Sequence, residues 1–327
     1  MSLFEIEKRI PSNLLKDRFV VPPFSVFNTT AGYWQEHRRA WIDLGIKSDL
    51  GRVQSVDKKH DRNTPHTTWV RPGSMFDKVE AKKKYGRIAQ EVSIFDPVLC
   101  EISYKWFTTD EAKILDPFAG GSVRGIVAGC LGRSYVGIDL NKSQLEANEE
   151  QSANFRGRFG DTFVSPHYIN GNSENIERLV NDKFDFLFSC PPYYNLEVYS
   201  TDENDLSYKR SYEEFLVSYR HIIRESVNLL NDNSFAVFVV SNIRENNGRY
   251  YNLYADTVSA FENAGMIFYN EAIIVNSAGT LPLRQPKQFS ATRKIGRMHQ
   301  YYLCFYKGNW KNIKVTLGDY EQKEGAR

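Results

Sequence analysis

The sequence predicts an α/β protein whose sheet is mostly parallel and carries helices on both faces. From about residue 93, strand-like segments alternate with helix-like segments, which is typical of βαβ units. Residues 184–190 are apolar apart from Asp185, as expected of a strand that is buried on both faces. The chain has 327 residues, 41% hydrophobic and 25% charged, and can therefore form one large α/β domain with added regions.

Residues 1–92 are predicted to be an N-terminal extension. Prolines make residues 20–27 extended, and residues 32–44 form a helix with tryptophans on one side. Residues 51–87 lack periodicity and contain ten basic and four acidic side chains, which indicates a long basic arm. This arm is either a solvated linker or a surface that contacts nucleic acid.

Residues 93–275 are predicted to form the main α/β domain, and residues 276–327 a basic C-terminal region. In this domain, helices are expected at 97–107, after the glycine turn at 120–125 to about 131, and at 143–155, 174–180, 212–230 and 256–264. Strands are expected at 113–118, 134–140, 168–172, 184–190 and 235–240, with two closely connected strands within 266–275. The C-terminal region begins with a loop at 279–299, because Pro282 and Pro286 interrupt a helix, and ends with a strand at 301–306.

A rigid turn follows the strand at 184–190. Pro191 cannot donate a hydrogen bond to a neighbouring strand, so the strand ends there, and both prolines fix their backbone φ. Cys190, Pro191, Pro192 and Tyr193 therefore lie at the carboxyl end of a parallel strand, where open α/β sheets bind ligands. Tyr193 offers a flat face on which a ring can stack.

Two upstream strands end in residues that suit a nucleoside. The first ends in Asp116-Pro-Phe-Ala-Gly-Gly121, and glycines between a strand and a helix let a ligand approach the backbone. The second ends at Asp139, about 20 residues later, where a carboxylate can accept hydrogen bonds from ribose hydroxyls. Each feature alone is also typical of a structural turn or a surface carboxylate.

These segments resemble three motifs of S-adenosylmethionine-dependent amino methyltransferases that act on DNA. They are Asp116-Pro-Phe-Ala-Gly-Gly, Gly137-Ile-Asp139 and Cys190-Pro-Pro-Tyr193, and they fall in the family's order. Residues 93–97 resemble a further motif that precedes the first one in some members, and the whole chain more loosely resembles phage and prophage DNA methylases. The resemblance implies a Rossmann-like methyltransferase fold with seven strands, S-adenosyl-L-methionine as cofactor, DNA as partner, and a role in DNA modification or restriction-modification.

The resemblance also assigns roles to residues of this chain. The methionine part of the cofactor is assigned to Phe118, Gly120 and the adjacent backbone, including Gly121. Asp116 helps to bind the cofactor's ammonium, Asp139 binds the ribose, and Asn172 lies near the adenine. The residues assigned to the flipped target base are Cys190, Pro191, Pro192 and Tyr193, since a base inside a duplex must be extruded before it can react.

Two positions depart from the family pattern. Ser122 replaces a glycine of the first motif, and Cys190 stands where the family has Asp, Asn or Ser. A thiol is a weak hydrogen-bond acceptor, so orientation of a target amine falls to the Pro191 carbonyl and Ser189.

Three interpretations of Cys190 remain open. The cysteine packs as a small apolar group, or it contacts the base as a variant of the amino motif. Alternatively, it attacks C6 of a pyrimidine for C5 methylation, with Glu197 as the nearest acid in sequence. Because Pro-Pro-Tyr follows directly, methylation of N6 of adenine or N4 of cytosine is favoured. A catalytically inactive DNA-binding protein, or an RNA or protein-glutamine acceptor, are the remaining alternatives.

A strongly basic stretch is the main candidate for DNA recognition. No acidic residue occurs from Ala272 to Gly318, while eight lysines and arginines do. This composition suits phosphate contacts and base-edge contacts, although solubilising charge would look the same. The predicted DNA-binding residues are Arg284, Lys287, Arg293, Lys294 and Arg297.

Other classes of protein are disfavoured by composition. The four cysteines are far apart and the six histidines show no metal-ligand spacing, so no disulfide framework and no metal site are expected. No apolar run is long enough for a membrane span, and no signal peptide is evident. The sequence therefore predicts a cytoplasmic protein. The resemblance to phage and prophage methylases implies a bacterium or a phage-infected cell, and the oligomeric state is left open between monomer and homodimer.

Overall fold

A computed structural model describes residues 19–47, 95–194, 203–245 and 247–320. It contains ten β-strands in these ranges: β1 Val26–Asn28, β2 Lys113–Asp116, β3 Ser134–Asp139, β4 His167–Asn170, β5 Phe184–Ser189, β6 Leu230–Val240, β7 Ile243–Arg244, β8 Tyr250–Tyr251, β9 Ile267–Val275 and β10 His299–Lys307. The α-helices described are α1 Gly32–Asp43, α2 Pro97–Phe107, α3 Val123–Cys130, α4 Lys142–Phe159, α5 Ile176–Leu179, α6 Tyr212–Asn228, α7 Leu253–Asn263, α8 Leu281–Thr292 and α9 Ile313–Leu317.

The main sheet has the order β1-β9-β10-β6-β5-β2-β3-β4. Strands β4, β3, β2, β5 and β6 pair in parallel, whereas β10 is antiparallel to both β6 and β9. Strand order reverses between β2 and β5, so their carboxyl ends form the crevice in which such sheets bind ligands. This arrangement confirms the Rossmann-like, mostly parallel sheet that the sequence predicts.

The main sheet has eight strands where the resemblance implies seven. The additional strand is β1, a three-residue strand that pairs in parallel with β9, with Val26 opposite Ile273. Phe27 of β1 is buried, and its ring lies 5.3 Å from that of Tyr302 and 6.1 Å from that of Trp34. Burial of this one aromatic side chain, rather than a periodic pattern, fixes the edge strand against the core.

Two apolar layers cover the sheet, one on each face. Successive residues of β5 contribute to opposite layers: Phe186 and Phe188 to one, and Leu187 to the other. All three side chains are fully buried. The alternation explains why the strand has a continuous apolar run, and it places the end of β5 at a rigid part of the core.

Two local predictions for residues 266–299 are wrong. Residues 267–275 form the single strand β9 rather than two strands. Residues 281–292 form the helix α8 rather than a loop. Pro282 lies in the first helical turn, where an N–H has no intrahelical partner, and Pro286 removes only one further backbone donor.

The N-terminal helix α1 is held on α2 by buried polar contacts. His37 Nε2 lies 2.5 Å from Glu101 Oε2, and Trp41 Nε1 donates to the same oxygen at 2.7 Å. Trp34 Nε1 donates to Asp96 Oδ2 at 2.9 Å. Burial alone would lower the pKa of His37, but the charge and hydrogen bond of Glu101 outweigh it and raise that pKa. The contact is therefore a charge-assisted clasp between the N-terminal extension and the predicted domain at 93–275.

Several expectations concern parts of the chain that the structure does not describe. The basic arm at 51–87 and Glu197 lie outside the described residues. None of the described helices is long and apolar enough to cross a membrane. All four cysteines are free thiols, and the described residues contain no group of three or more metal-ligating side chains.

Candidate active site

The carboxyl ends of β2 and β5 are joined by a buried carboxylate. Asp116, the last residue of β2, is fully buried and accepts hydrogen bonds from Ser189 Oγ at 2.5 Å and Tyr135 Oη at 2.6 Å. It also accepts from Arg124 Nε at 2.5 Å and from the backbone N–H of Phe118 at 3.1 Å. Ser189 directly precedes Cys190, so this network fixes the two predicted ligand loops relative to each other.

The network leaves little capacity for a direct contact between Asp116 and a ligand. A carboxylate has about four acceptor positions, and four donors already occupy those of Asp116. The hydroxyl of Ser189 likewise donates its proton to Asp116. In this geometry Asp116 and Ser189 hold the two loops together, while the contact of Asp116 with the cofactor's ammonium that the resemblance implies stays a prediction.

Arg124 is the counterion of this site, and the sequence interpretation did not include it. Its guanidinium also donates to the carbonyl oxygens of Phe118 and Ala119, at 2.6 and 2.9 Å, and so holds the glycine turn from inside. Burial alone would lower the pKa of Arg124, but Asp116 outweighs it and raises that pKa. One feature of the sequence does indicate this role. Arg124 is the single charged residue in a helix of small and apolar residues, and a buried charge requires a partner of opposite charge.

The glycine turn is closed by contacts with the next strand and helix. Gly120 has φ of +50°, a conformation that side chains disfavour, and its N–H donates to Asp139 Oδ2 at 2.8 Å. Its carbonyl accepts from Asn148 Nδ2 at 2.7 Å. At Gly137, a Cβ atom would lie 2.8 Å from that of Ala119, so only glycine lets the turn approach β3 this closely. Gly121 is half-buried beside the turn.

Asp139 combines fixed orientation with unused acceptor capacity. Its half-buried carboxylate accepts from the N–H groups of Gly120 and Asn141, both at 2.8 Å. Burial raises the pKa of Asp139, and these two hydrogen bonds oppose the change only in part. With about two of four acceptor positions occupied, the carboxylate can bind two vicinal hydroxyls of a ribose.

The end of β4 supplies the remaining predicted cofactor residue. Asn172 caps a short 3₁₀ turn by accepting from the N–H of Glu174, and its Nδ2 lies 3.2 Å from Asn204 Oδ1. The adjacent Ser173 donates to the Pro117 carbonyl at 2.6 Å. Phe118 is half-buried against the apolar layer of α6. Asn172 and Phe118 therefore flank the turn on the side of β4 and α6.

The Cys190 loop is compact and turned towards β10. Cys190 Sγ lies 3.4 Å from Tyr193 Oη, and Tyr193 Oη accepts from Gln300 Nε2 at 2.9 Å. Pro191 is buried, while Cys190, Pro192 and Tyr193 are half-buried.

Tyr194 completes the turn with φ of +47°. This conformation is uncommon for a side-chain residue, and such strain is found where packing over-determines the backbone. Here the packing comes from the rings of Tyr212, Phe215 and Tyr251, whose centroids each lie 5.7 Å from that of Tyr194.

The five predicted DNA-binding residues divide into two groups. Arg284 and Lys287 are exposed on α8. Arg293, Lys294 and Arg297 line an open groove together with Arg244, which lies on β7 and was not predicted. Arg244 precedes the strongly basic stretch that begins at Ala272, and only the fold brings it close to these residues.

Comparisons with known proteins find likeness in structure only. No family model matches the sequence, and no curated protein matches it. Solved structures similar to this chain include TrmN from Thermus thermophilus, with 13% identity and a TM-score of 0.42 over 65% of this chain and 49% of that one. A candidate rRNA methylase of Clostridium thermocellum has 9% identity and a TM-score of 0.43 over 66% of this chain and 100% of that one.

A candidate DNA modification methylase, also of Thermus thermophilus, has 18% identity and a TM-score of 0.33, over 42% of this chain and 51% of that one. The chain thus spans about half the length of two of these three relatives. Likeness at this level concerns the fold and does not extend to the substrate.

Proposed function

We propose that this protein transfers a methyl group from S-adenosylmethionine to an exocyclic amine of a base in DNA. The observation that carries the proposal is the junction of three strand ends. Hydrogen bonds of 2.8 Å from Gly120 to Asp139 and 2.5 Å from Ser189 to Asp116 join the glycine turn to β3 and β5 to β2, which supports a nucleoside site beside the Cys190-Pro-Pro-Tyr193 loop. The resemblance to amino methyltransferases assigns cofactor and target base to these two neighbouring places.

The residues present fit the cofactor. Asp139 has the unused acceptor positions that a ribose requires, and Gly120 keeps the turn free of a side chain. Phe118, Gly121 and Asn172 would complete the pocket. When bound, S-adenosylmethionine supplies an electrophilic methyl group. The protein's own contribution is to hold the acceptor amine near that methyl group and in line with it, which is catalysis by proximity and orientation.

The Cys190 loop supplies the groups that would orient the amine. Pro191 has no N–H, and its carbonyl oxygen is an acceptor set at the end of β5 by the buried network. Tyr193 would stack on the extruded base, and the hydrogen bond from Gln300 to its hydroxyl fixes the ring. Cys190 Sγ would contact the base only weakly in this role.

One observation favours a second candidate, methylation of cytosine at C5. Cys190 is half-buried at the end of β5, directly before Pro191, where its thiol would be the nucleophile that this reaction requires. In that reaction the thiolate would add to C6 of the cytosine, C5 would accept the methyl group and then lose its proton to a base, and the C6–S bond would break to release the thiolate. Direct attachment of Pro-Pro-Tyr to Cys190 keeps the amine reaction in first place.

Transfer of a radiolabelled methyl group to purified DNA tests the proposal. The wild-type protein should label DNA, and Asp139→Ala should not at cofactor concentrations that saturate the wild type. Asp161→Ala removes an exposed carboxylate outside the proposed site. It is the matched control and should label DNA normally. Labelling of RNA or protein in place of DNA would contradict the proposed substrate.

A further inference from the structure

A basic groove lies between the β7–β8 hairpin and residues 292–299. Its volume is about 820 Å³, and it is open to solvent along one side. Four cationic side chains line it, Arg244, Arg293, Lys294 and Arg297, and the described residues of its lining include no carboxylate. Such a surface attracts an extended polyanion.

An aromatic ring holds two of these cations in place. The guanidinium of Arg244 lies 3.9 Å from the centroid of the Tyr250 ring, and that of Arg297 lies 5.2 Å from it. Burial alone would raise the pKa of Tyr250, but hydrogen bonds and charges from Arg297 and Arg244 lower it. In the part of the chain that the structure describes, neither arginine forms a salt bridge with a carboxylate. Both therefore keep charge and donors for an anion, and their planes can stack on a base.

Both walls of the groove are attached to the Cys190 loop. On one wall, Gln300 follows the groove residue His299 and donates to Tyr193. On the other wall, Tyr251 follows Tyr250 and packs edge-on against Tyr194, with ring centroids 5.7 Å apart. A chain that occupied the groove would therefore run directly to the proposed base site.

We propose that this groove binds the phosphate backbone of the DNA strand that carries the target base. In the groove, Arg244, Lys294 and Arg297 neutralise phosphates, while Tyr250 and its stacked guanidiniums form a platform for the base next to the extruded one. This inference rests on the proposed function, and it adds the β7–β8 hairpin to the DNA-binding surface. The exposed pair on α8, Arg284 and Lys287, would lie outside the groove.

The salt dependence of DNA binding tests the groove. Full-length wild-type protein and variants are titrated with a fluorescent duplex of about 20 base pairs at several salt concentrations. Arg244→Gln and Arg297→Gln should each reduce the slope of log K against log salt by about 1. Arg249→Gln, on the same hairpin but outside the groove, is the matched control and should keep the wild-type slope.

A second experiment tests the stacking platform and checks that the variants are folded. Tyr250→Leu should weaken binding of a single-stranded oligonucleotide by about 5- to 150-fold, the loss expected for one stacked base. Arg244→Lys keeps the charge and should retain the slope, and thermal unfolding of every variant checks that it folds.

Four results would overturn the inference. Unchanged slopes for the groove variants, with DNA still methylated by the wild type, would show that the groove does not bind DNA and would leave the proposed function intact. An equal loss for Arg249→Gln would show a general surface-charge effect. Tighter binding of RNA than of DNA with the same sequence would remove DNA as the partner. Absence of both DNA binding and DNA methylation by the wild type would contradict the groove and the function together.

Discussion

The buried ion pair between Arg124 and Asp116 gives the sharpest prediction about the site. Replacement of Arg124 by Met keeps most of the side-chain volume but leaves the Asp116 charge without its counterion, because the arginine and aspartate side chains are only 6% and 0% exposed. It also removes the donors to the Phe118 and Ala119 carbonyls. Breaking a buried pair from one side costs about 3–5 kcal/mol, a large part of a domain's stability.

Urea unfolding measures this loss, and the chain contains a matched control. Arg156 forms an equally short pair with Asp161, at 2.6 Å, but these side chains are 47% and 98% exposed. Arg156→Met should therefore cost less than about 1 kcal/mol. If the two variants lose similar amounts of stability, or if Arg124→Met loses less than about 1 kcal/mol, then the Asp116 network does not stabilise the core of the site as inferred.

Three further predictions concern the cofactor, the thiol and the N-terminal clasp. Asp139→Ala should weaken S-adenosylmethionine binding by roughly 1.5–3 kcal/mol in calorimetry, because charge-assisted hydrogen bonds to hydroxyls are lost. Wild-type affinity should also fall as pH decreases through the raised pKa of Asp139; unchanged affinity in the variant would remove the ribose assignment. Cys190→Ser should retain methylation, and a fluorinated cytosine substrate should form no covalent adduct; a trapped adduct, lost in Cys190→Ser, would favour the C5 reaction. His37→Gln should destabilise the protein below about pH 6, where the wild-type clasp is fully protonated, and should cost progressively less as pH rises through the raised pKa of His37. A urea-unfolding difference between His37→Gln and wild type that does not change with pH would contradict the charged clasp.

The sequence predicted the central strands well because their pattern is strong. Strands β2, β3 and β5 begin where predicted and end within two residues of the predicted bounds, since buried apolar runs are followed by Asp, Gly or Pro. The three-residue strand β1 has no such pattern, and its pairing with β9 and the packing of Phe27 depend on contacts with residues distant in sequence. Helix α8 replaces the predicted loop because the first turn of a helix tolerates a proline, here Pro282.

The candidate site could be predicted in position but not in detail. The order of the motifs predicts that the three strand ends meet at one edge of the sheet, and the structure shows that they do. The partners of those motifs are distant in sequence: Gln300 donates to Tyr193 across 107 positions. Arg244 and Arg297 share the Tyr250 ring across 53 positions, and a single sequence gives no signal for such contacts. The role of Asp116 likewise depends on four donors that only the fold assembles.

Mass spectrometry of nucleosides from the DNA of cells that express the protein tests the central claim most directly. The proposed reaction predicts N6-methyladenine or N4-methylcytosine in cells with the wild-type protein, and neither above background in cells with Asp139→Ala. Detection of C5-methylcytosine alone would contradict transfer to an amine. Absence of any modified nucleoside, with the folded protein present, would contradict methyl transfer to DNA.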